Sequence, residues 1–447
     1  MKKLILILLF IPLCTQLGAQ TKDSVFSFTV KQAIAFALEN QTDVQNAKLD
    51  AEISNAQVKE ILGIGLPQLN GSFDVKDYEE IPTSLIPGEF FDGEAGSFIP
   101  VKFGTRWNAT GTISATQLLF DPTYLIGVKA TKTLRELSDK KLDRTELETA
   151  VAVAKAYYNV LLLTERKKAM DANLQRVQKL YDDTKVLNEN GFVEKLDLDR
   201  VKVALNNAST EIEKFSRLLI VSNKILKYQM GMKQSAVLEP IETINAAELK
   251  NLTISLEKYD ISERIEYSIL ETQKKLQEYN VKRYRSGRYP NLIAYGNLST
   301  TAQRQEFNFF DSDKGWYPVG IIGATLSLPL FDGFQKHNKI KQEKLNLRKL
   351  ENEIERFEEA ASVEVSSNRD ALINSVNSLN VQEQNLELAN DIYSTSKLKY
   401  DQGVGSNLEV LDAETSLKDS QANYFNALYD VMISKIDLEK SMGKFIY

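Results

Sequence analysis

The sequence predicts a mixed α and β membrane protein, built from two internal repeats of long helices and paired strands, that closes a barrel only together with further copies of itself. Three observations carry this. First, punctuating residues recur about 211 or 212 positions apart: Phe120-Asp121 with Phe331-Asp332, Gly191 with Gly403, and Met230-Gly231 with Met442-Gly443. A fourth pair, Leu66-Pro67-Gln68-Leu69 and Tyr289-Pro290-Asn291-Leu292, is offset by about 223. Four marks in one order imply a duplicated unit. Second, residues 107–116 alternate strictly. Third, one helical run continues for about 65 residues with Gly127 as its only glycine.

The chain opens with Lys2 and Lys3, an apolar run from Leu4 to Leu13, and the small-residue exit Leu17-Gly18-Ala19. These are the three parts of a secretory signal peptide. The apolar run is about ten residues, half of the roughly 20 that a spanning helix needs. Residues 1–19 are therefore expected to be removed, leaving Gln20 as the mature N-terminus. The only cysteine, Cys14, leaves with the signal, and Leu13 before it is not the small residue that a lipid-modified cysteine requires. A mature chain without thiols excludes disulfides and thiolate metal sites.

The single histidine, His337, lies in a polar helical stretch, which leaves no material for multi-histidine metal sites. Neither a phosphate loop nor a nucleophile elbow occurs. No catalysis and no cofactor are expected. The net charge of −6 argues against a nucleic-acid partner. Mean hydropathy is −0.29, as for a soluble protein. A membrane barrel also looks like this, because its lipid-facing residues alternate with lumen-facing ones.

Each repeat, expected over 20–253 and 254–447, reads as helix, two strands, long helix, tip and helix. In the first, Thr29 caps a helix with Gln32 completing a capping box. Val30, Ala33, Ile34, Ala37 and Leu38 follow at helical spacing, and the pattern runs to about Gly65, before Pro67. Its equivalent starts near Ser262 and stops before Pro290. In 107–116, Trp107, Ala109, Gly111, Ile113 and Ala115 share one face, and Asn108, Thr110, Thr112, Ser114 and Thr116 the other. Partner strands are expected at about 69–78, 291–301 and 319–330. The connections between paired strands are rich in aromatics: Phe90, Phe91, Phe98 and Phe103 in one, Phe307, Phe309, Phe310 and Trp316 in the other.

Helix lengths are the most informative quantity. From Pro122 to about Asn188 the run gives about 100 Å at 1.5 Å per residue. The helices at about 193–230 and 29–65 each give roughly 55 Å, so the two together match the long one. The surface Ala150, Val151, Val153, Ala154, Ala156 and Tyr157 requires lateral packing in a coiled-coil manner. Each repeat is thus a long rod beside two half-length rods.

Four strands per chain do not close a membrane barrel, and bacterial single-chain barrels begin at eight. Open sheet edges have no hydrogen-bond partners in lipid. Two or three copies, giving eight or twelve strands, are therefore required, with the long helices forming a second, periplasmic cylinder. A polar-lined tube of that length is a conduit. A periplasmic coiled-coil scaffold remains a rival, although it does not account for the strand pairs.

The chain resembles the TolC family of outer-membrane efflux proteins over about 28–443. The resemblance rests on the duplicated layout, the Phe-Asp strand exits and the segment from Tyr400 through Gly403, Glu409 and Asp412 to Ala413. The insert Ile86-Pro87-Gly88-Glu89-Phe90-Phe91 is similar to members from Bacteroidetes-type bacteria. The resemblance implies a homotrimer with a twelve-stranded barrel in the outer membrane lipid, continued by a periplasmic α-helical barrel. It also implies docking to a periplasmic adaptor and an inner-membrane RND or ABC transporter, for efflux or, alternatively, for type I protein secretion. By the same match, Asp197, Glu409 and Asp412 would line the periplasmic gate and Tyr400 would help to hold it closed. Gly191, Phe192, Gly403 and Val404 would form the adaptor-docking tips. The arginine that completes the closed lock in the family's best-known member is replaced by Gly405.

Overall fold

A computed structural model describes residues 25–242, 249 and 259–446. The signal segment 1–19, its cut before Gln20 and Cys14 lie outside the described residues. In chain order the elements are β1 (Val25–Phe28), α1 (Val30–Asn40), α2 (Thr42–Gly63), β2 (Gln68–Asp77), β3 (Thr83–Pro87), β4 (Phe98–Lys102), β5 (Trp107–Phe120), α3 (Pro122–Glu189), α4 (Lys195–Gln229), β6 (Val237–Pro240), α5 (Ile265–Ser286), β7 (Asn291–Arg304), β8 (Tyr317–Ser327), α6 (Gln335–Asp401) and α7 (Asn407–Ser441). The duplication is visible in lengths: α3 and α6 have 68 and 67 residues, and α4 and α7 have 35 each. At 1.5 Å per residue each long helix is about 100 Å.

The chain divides into two compact units, and the division cuts across the repeats. One unit comprises Asn46–Thr145 and Tyr259–Glu364. Its centre is an antiparallel sheet in the order β2-β5-β7-β8, in which the repeats meet at β5 and β7. The register puts Phe73 opposite Gly111 and Ile113 opposite Leu298, so apolar residues of all four strands fall on one face. Leu69, Phe73, Ile113, Leu298, Ile322 and Leu326 on that face are 60–93% exposed. The other face carries Asn70, Thr110, Thr112, Ser114, Asn297 and Thr301. Among the described residues, β2 and β8 each have one unpaired edge.

Long helices leave the sheet where Phe-Asp occurs because the aspartate caps them. Asp121 Oδ1 accepts from the Thr123 and Tyr124 N–H groups at 2.6 and 3.3 Å, and Asp332 Oδ2 from Lys336 N–H at 3.2 Å. The two aromatic connections differ. In 305–316, Phe309 is 5% exposed and closes over Ala109 and Ala302, with Trp107 and Trp316 beside it. The other connection contains a hairpin, β3 with β4, that the sequence pattern did not show, and it leaves Phe90, Phe91, Phe98 and Phe103 exposed.

The second unit comprises Met1–Gln45, Glu146–Lys258 and Val365–Tyr447. The small-residue stripe of α3 is its core: Ala150, Val153, Ala154, Tyr157 and Val160 pack against Ala33, Ile34 and Ala37 of α1, with Leu226, Met230 and Ile436. The fully buried Tyr157 donates its hydroxyl to Phe28 O at 2.9 Å and accepts from Glu242 N–H at 3.3 Å. It thereby fastens a parallel pair, β1 with β6, which was also not anticipated. Burial raises the Tyr157 pKa. The Thr29–Gln32 capping box is present as expected.

One expectation is corrected. The helix expected over 29–65 is two helices, broken at Gln41, which is extended (φ −71°, ψ 131°). Gln41 Oε1 accepts from the Asp43 and Val44 N–H groups and so starts α2 afresh. The break is also where another turn arrives. Gly231 has φ +67°, and a Cβ on it would lie 2.5 Å from Asn40 O.

A comparison of glycines follows from this geometry. Gly231→Ala combines a left-handed backbone with a backbone clash, whereas Gly191→Ala has the same kind of φ (+79°) and open space around its Cβ. Gly191→Ala should cost about 1 kcal/mol and Gly231→Ala clearly more. Thermal unfolding midpoints in detergent, compared for the two variants, provide the check.

Candidate functional site

The two tips are built alike by the chain's own geometry. α3 ends with Gly191 at φ +79°, Gly191 N–H donating to Asn188 O and Phe192 N–H to Leu187 O. α6 ends with Gly403 at φ +75°, Gly403 N–H donating to Tyr400 O and Val404 N–H to Lys399 O. Both are the paired-bond helix stop that favours glycine in the left-handed region. Each turn then presents an apolar side chain to solvent: Phe192 is 77% exposed and Val404 76%.

Beyond the turns the helices restart with acids in their first turns, Asp197 in α4 and Glu409 in α7. Ser406 caps α7 by accepting from Glu409 N–H at 3.3 Å. The structure brings the two restarts together, since the buried Asn407 donates from Nδ2 to Asp197 O at 3.3 Å. The acids are not equivalent. Asp197 lies 3.5 Å from Arg200 one turn on. Glu409 and Asp412 are exposed, and neither has a cation partner among the described residues. Positions 197 and 200 correspond to 409 and 412 by the 212-residue repeat, so an Asp–Arg pair in one repeat corresponds to a Glu–Asp pair in the other.

Tyr400 reaches across from α6 to α3. Its hydroxyl is 3.3 Å from Thr184 Oγ1. Thr184 already donates to Leu180 O at 2.7 Å, so Tyr400 is the donor. The ring packs in a cluster with Leu180, Val201 and Val410, with Lys397 Nζ 5.4 Å from its centroid. Gly405 lies tight against the end of α6. Its N–H donates to Lys399 O at 3.1 Å, and a Cβ would come within 2.9 Å of Tyr400 N. In this turn the position has no room for a side chain without a backbone shift.

Sequence reasoning missed a further group. Glu414 is 5% exposed and takes Arg176 Nη2 at 2.8 Å and Nε at 3.0 Å, together with Asn173 Nδ2. Arg176 stacks 5.4 Å from the Tyr393 centroid. Burial, with Glu414 nearby, raises the Tyr393 pKa. The available signal was a charge on the apolar stripe Val410, Ala413, Leu417. Lys418–Glu211 at 3.2 Å and Lys397–Asp183 at 3.9 Å also join helices of the two repeats, and both pairs are partly exposed.

Because Glu414 is buried, Arg176→Met should cost about 3 kcal/mol by leaving a carboxylate without its countercharge. Adding Glu414→Leu should recover most of that. Denaturant midpoints of the four species give the coupling, and independent, additive losses would show that the pair does not act as a unit.

Comparison with known proteins agrees with this architecture. The family model described as outer membrane efflux protein matches residues 33–227 and 270–444. The probable efflux pump outer membrane protein TtgC of Pseudomonas putida is 23% identical over 422 residues, covering 93% of this chain and 82% of that protein. Outer membrane protein TolC of Escherichia coli is 20% identical, over 76% of this chain and 70% of that one. Among solved structures, the outer membrane protein VceC of Vibrio cholerae superposes with TM-score 0.71 at 16% identity, covering 93% of this chain and 96% of that one. The open state of the Neisseria gonorrhoeae MtrE outer membrane channel gives 0.68 at 18% identity, over 93% and 88%. With the family model matched over most of its length, this chain belongs to the outer membrane efflux protein family.

Proposed function

We propose that three copies of this chain close a twelve-stranded barrel and act as the passive conduit of a tripartite efflux system. The observation that carries the reading is the four-stranded sheet, with an exposed apolar face and unpaired edges on β2 and β8. In hydrocarbon those edges need partners, and β8 of one copy meeting β2 of the next supplies them. A coiled-coil scaffold has no use for such a face. Its relatives include efflux pump and cation efflux proteins, which favours efflux over type I protein secretion. The chain catalyses nothing, and the energy comes from an inner-membrane RND or ABC transporter through a periplasmic adaptor.

Within this reading the tips Gly191-Phe192 and Gly403-Val404 dock the adaptor, because they offer exposed apolar side chains on fixed turns. Asp197, Tyr400, Glu409 and Asp412 form the periplasmic gate. Tyr400 holds α6 to α3 through Thr184, in place of an arginine at 405. The charge of the gate comes chiefly from Glu409 and Asp412, since Asp197 is offset by Arg200. The repeat limits 20–253 and 254–447 and the signal 1–19 belong to the same proposal.

Two outcomes are expected. In detergent the folded protein should have three times the mass of the mature chain, and cysteines placed on β2 and β8 should crosslink between copies. A stable folded monomer would sink the shared barrel. In planar bilayers the pore should prefer cations and be blocked by divalent cations from the periplasmic side. Glu409→Gln with Asp412→Asn should move the reversal potential towards zero and relieve block, because rings of acids underlie cation preference. Neutralising Asp197 alone should do less.

A further inference from the structure

We propose that the groove between α5 and α6 binds the phosphate headgroup of anionic glycerophospholipids in the periplasmic leaflet. The proposal rests on the outer-membrane placement of the sheet. Three of the four helix ends that adjoin the strands are strongly basic in a chain whose net charge is −6. Residues 122–135 at the start of α3 carry three Lys or Arg, 281–288 carry four, and 335–349 carry six, with Glu343 as the only acid in the three stretches.

Part of this charge is gathered into one groove of about 600 Å³, lined by Lys282 and Arg285 of α5, Lys341, Lys344 and Arg348 of α6, and the acids Glu278 and Glu351. Lys282 lies 3.9 Å from Glu278. Arg285, Lys341, Lys344 and Arg348 have no carboxylate partner among the described residues. Unpaired cations that share a groove repel one another and call for an anionic counterpart.

The side of the groove follows from helix geometry. Arg283 lines a hollow with Gln68, Thr116 and Ile293, on the polar face of the sheet. Arg285 is two residues further, about 200° around the helix, and so on the side of the apolar face. Its depth is marked by aromatic rings. Tyr289, Phe331 and Phe334 are exposed at the same strand–helix junctions, as aromatic residues are at membrane interfaces. Lys339 Nζ lies 5.2 Å from the Tyr284 centroid, so the first turns of α6 run beside the last turns of α5. The groove thus adjoins the inner edge of the lipid-facing surface, where phosphates of the bilayer lie and basic residues attract anionic lipid. An apolar wall next to a cationic groove fits an amphiphile, with acyl chains on the strands and phosphate on the arginines and lysines.

Native mass spectrometry of the detergent-purified protein, in mixed micelles of phosphatidylcholine and phosphatidylglycerol, tests this. The wild type should retain phosphatidylglycerol. Lys282→Gln/Arg285→Gln/Lys341→Gln/Lys344→Gln should retain about tenfold less or lower, with phosphatidylcholine unchanged. Equal retention in both overturns the proposal. Because a fourfold variant is open to misfolding, the wild type supplies a second arm: retention should fall as sodium chloride is raised, and retention indifferent to salt overturns the site. Millimolar inorganic phosphate should not displace the lipid, whereas displacement would mean a free-phosphate site instead. Conductance in phosphatidylcholine bilayers separates the two readings. Conducting variant and wild-type pores with equal lipid retention remove only the headgroup site, and absence of conductance in the wild type removes the channel reading on which it rests.

Discussion

Backbone hydrogen bonding at the edges of the β2-β5-β7-β8 sheet is the constraint from which the rest follows. Water would satisfy the free edges of β2 and β8, and lipid does not. The edges are the first and last strands of the sheet in chain order. A head-to-tail ring therefore pairs each copy's end with the next copy's beginning. The duplication makes this economical, because the join between repeats within a chain, β5 with β7, is repeated in kind by the join between chains. A ring of identical chains is then a ring of twice as many similar units, and the helices that leave the strands inherit that arrangement.

The interest lies in where the two repeats stop being alike. Position 200 is arginine in the first and its counterpart 412 is aspartate. Asp197 therefore has a cation one turn on, while Glu409 and Asp412 have none among the described residues. Position 193 is valine and its counterpart 405 is glycine, tucked against Tyr400 where a Cβ would not fit. Tyr400 in turn corresponds to Asn188, whose amide closes its own turn on Val193 O at 2.9 Å. The second repeat uses this position to reach α3, and the first uses it locally. At this position the contact across repeats is thus made by the second half of a duplicated chain.

Much of this was legible because it is local. Strict alternation fixed β5, the Phe-Asp exits carried their own caps, and the glycines at 191, 231, 403 and 443 all take positive φ. What escaped detection depends on partners far away. β1 and β6 are four residues each and pair across about 212 positions. β3 and β4 contain Pro87 and Pro100, which ordinarily speak against strands. The break at Gln41 comes from a side chain capping the next helix, in a stretch whose periodicity reads straight through. Arg176 and Glu414 are 238 residues apart, and each alone reads as one more solvated helix charge. Asp197, Glu409 and Asp412 stand out only by resemblance, and it is the folded chain that puts Arg200 beside Asp197.

The exposed face of the sheet has a consequence for the life of the chain before it reaches its place. Leu69, Phe73, Ile113, Leu298, Ile322 and Leu326 lie on a surface flanked by two open strand edges. In an aqueous compartment that combination is a template for indiscriminate strand pairing. A newly exported copy is therefore hazardous until it finds both lipid and its neighbours. Its folding is tied to encounter, so it depends on how many copies are present at once. Ring closure and entry into lipid end that hazard together, so the more copies are present at once, the shorter it lasts.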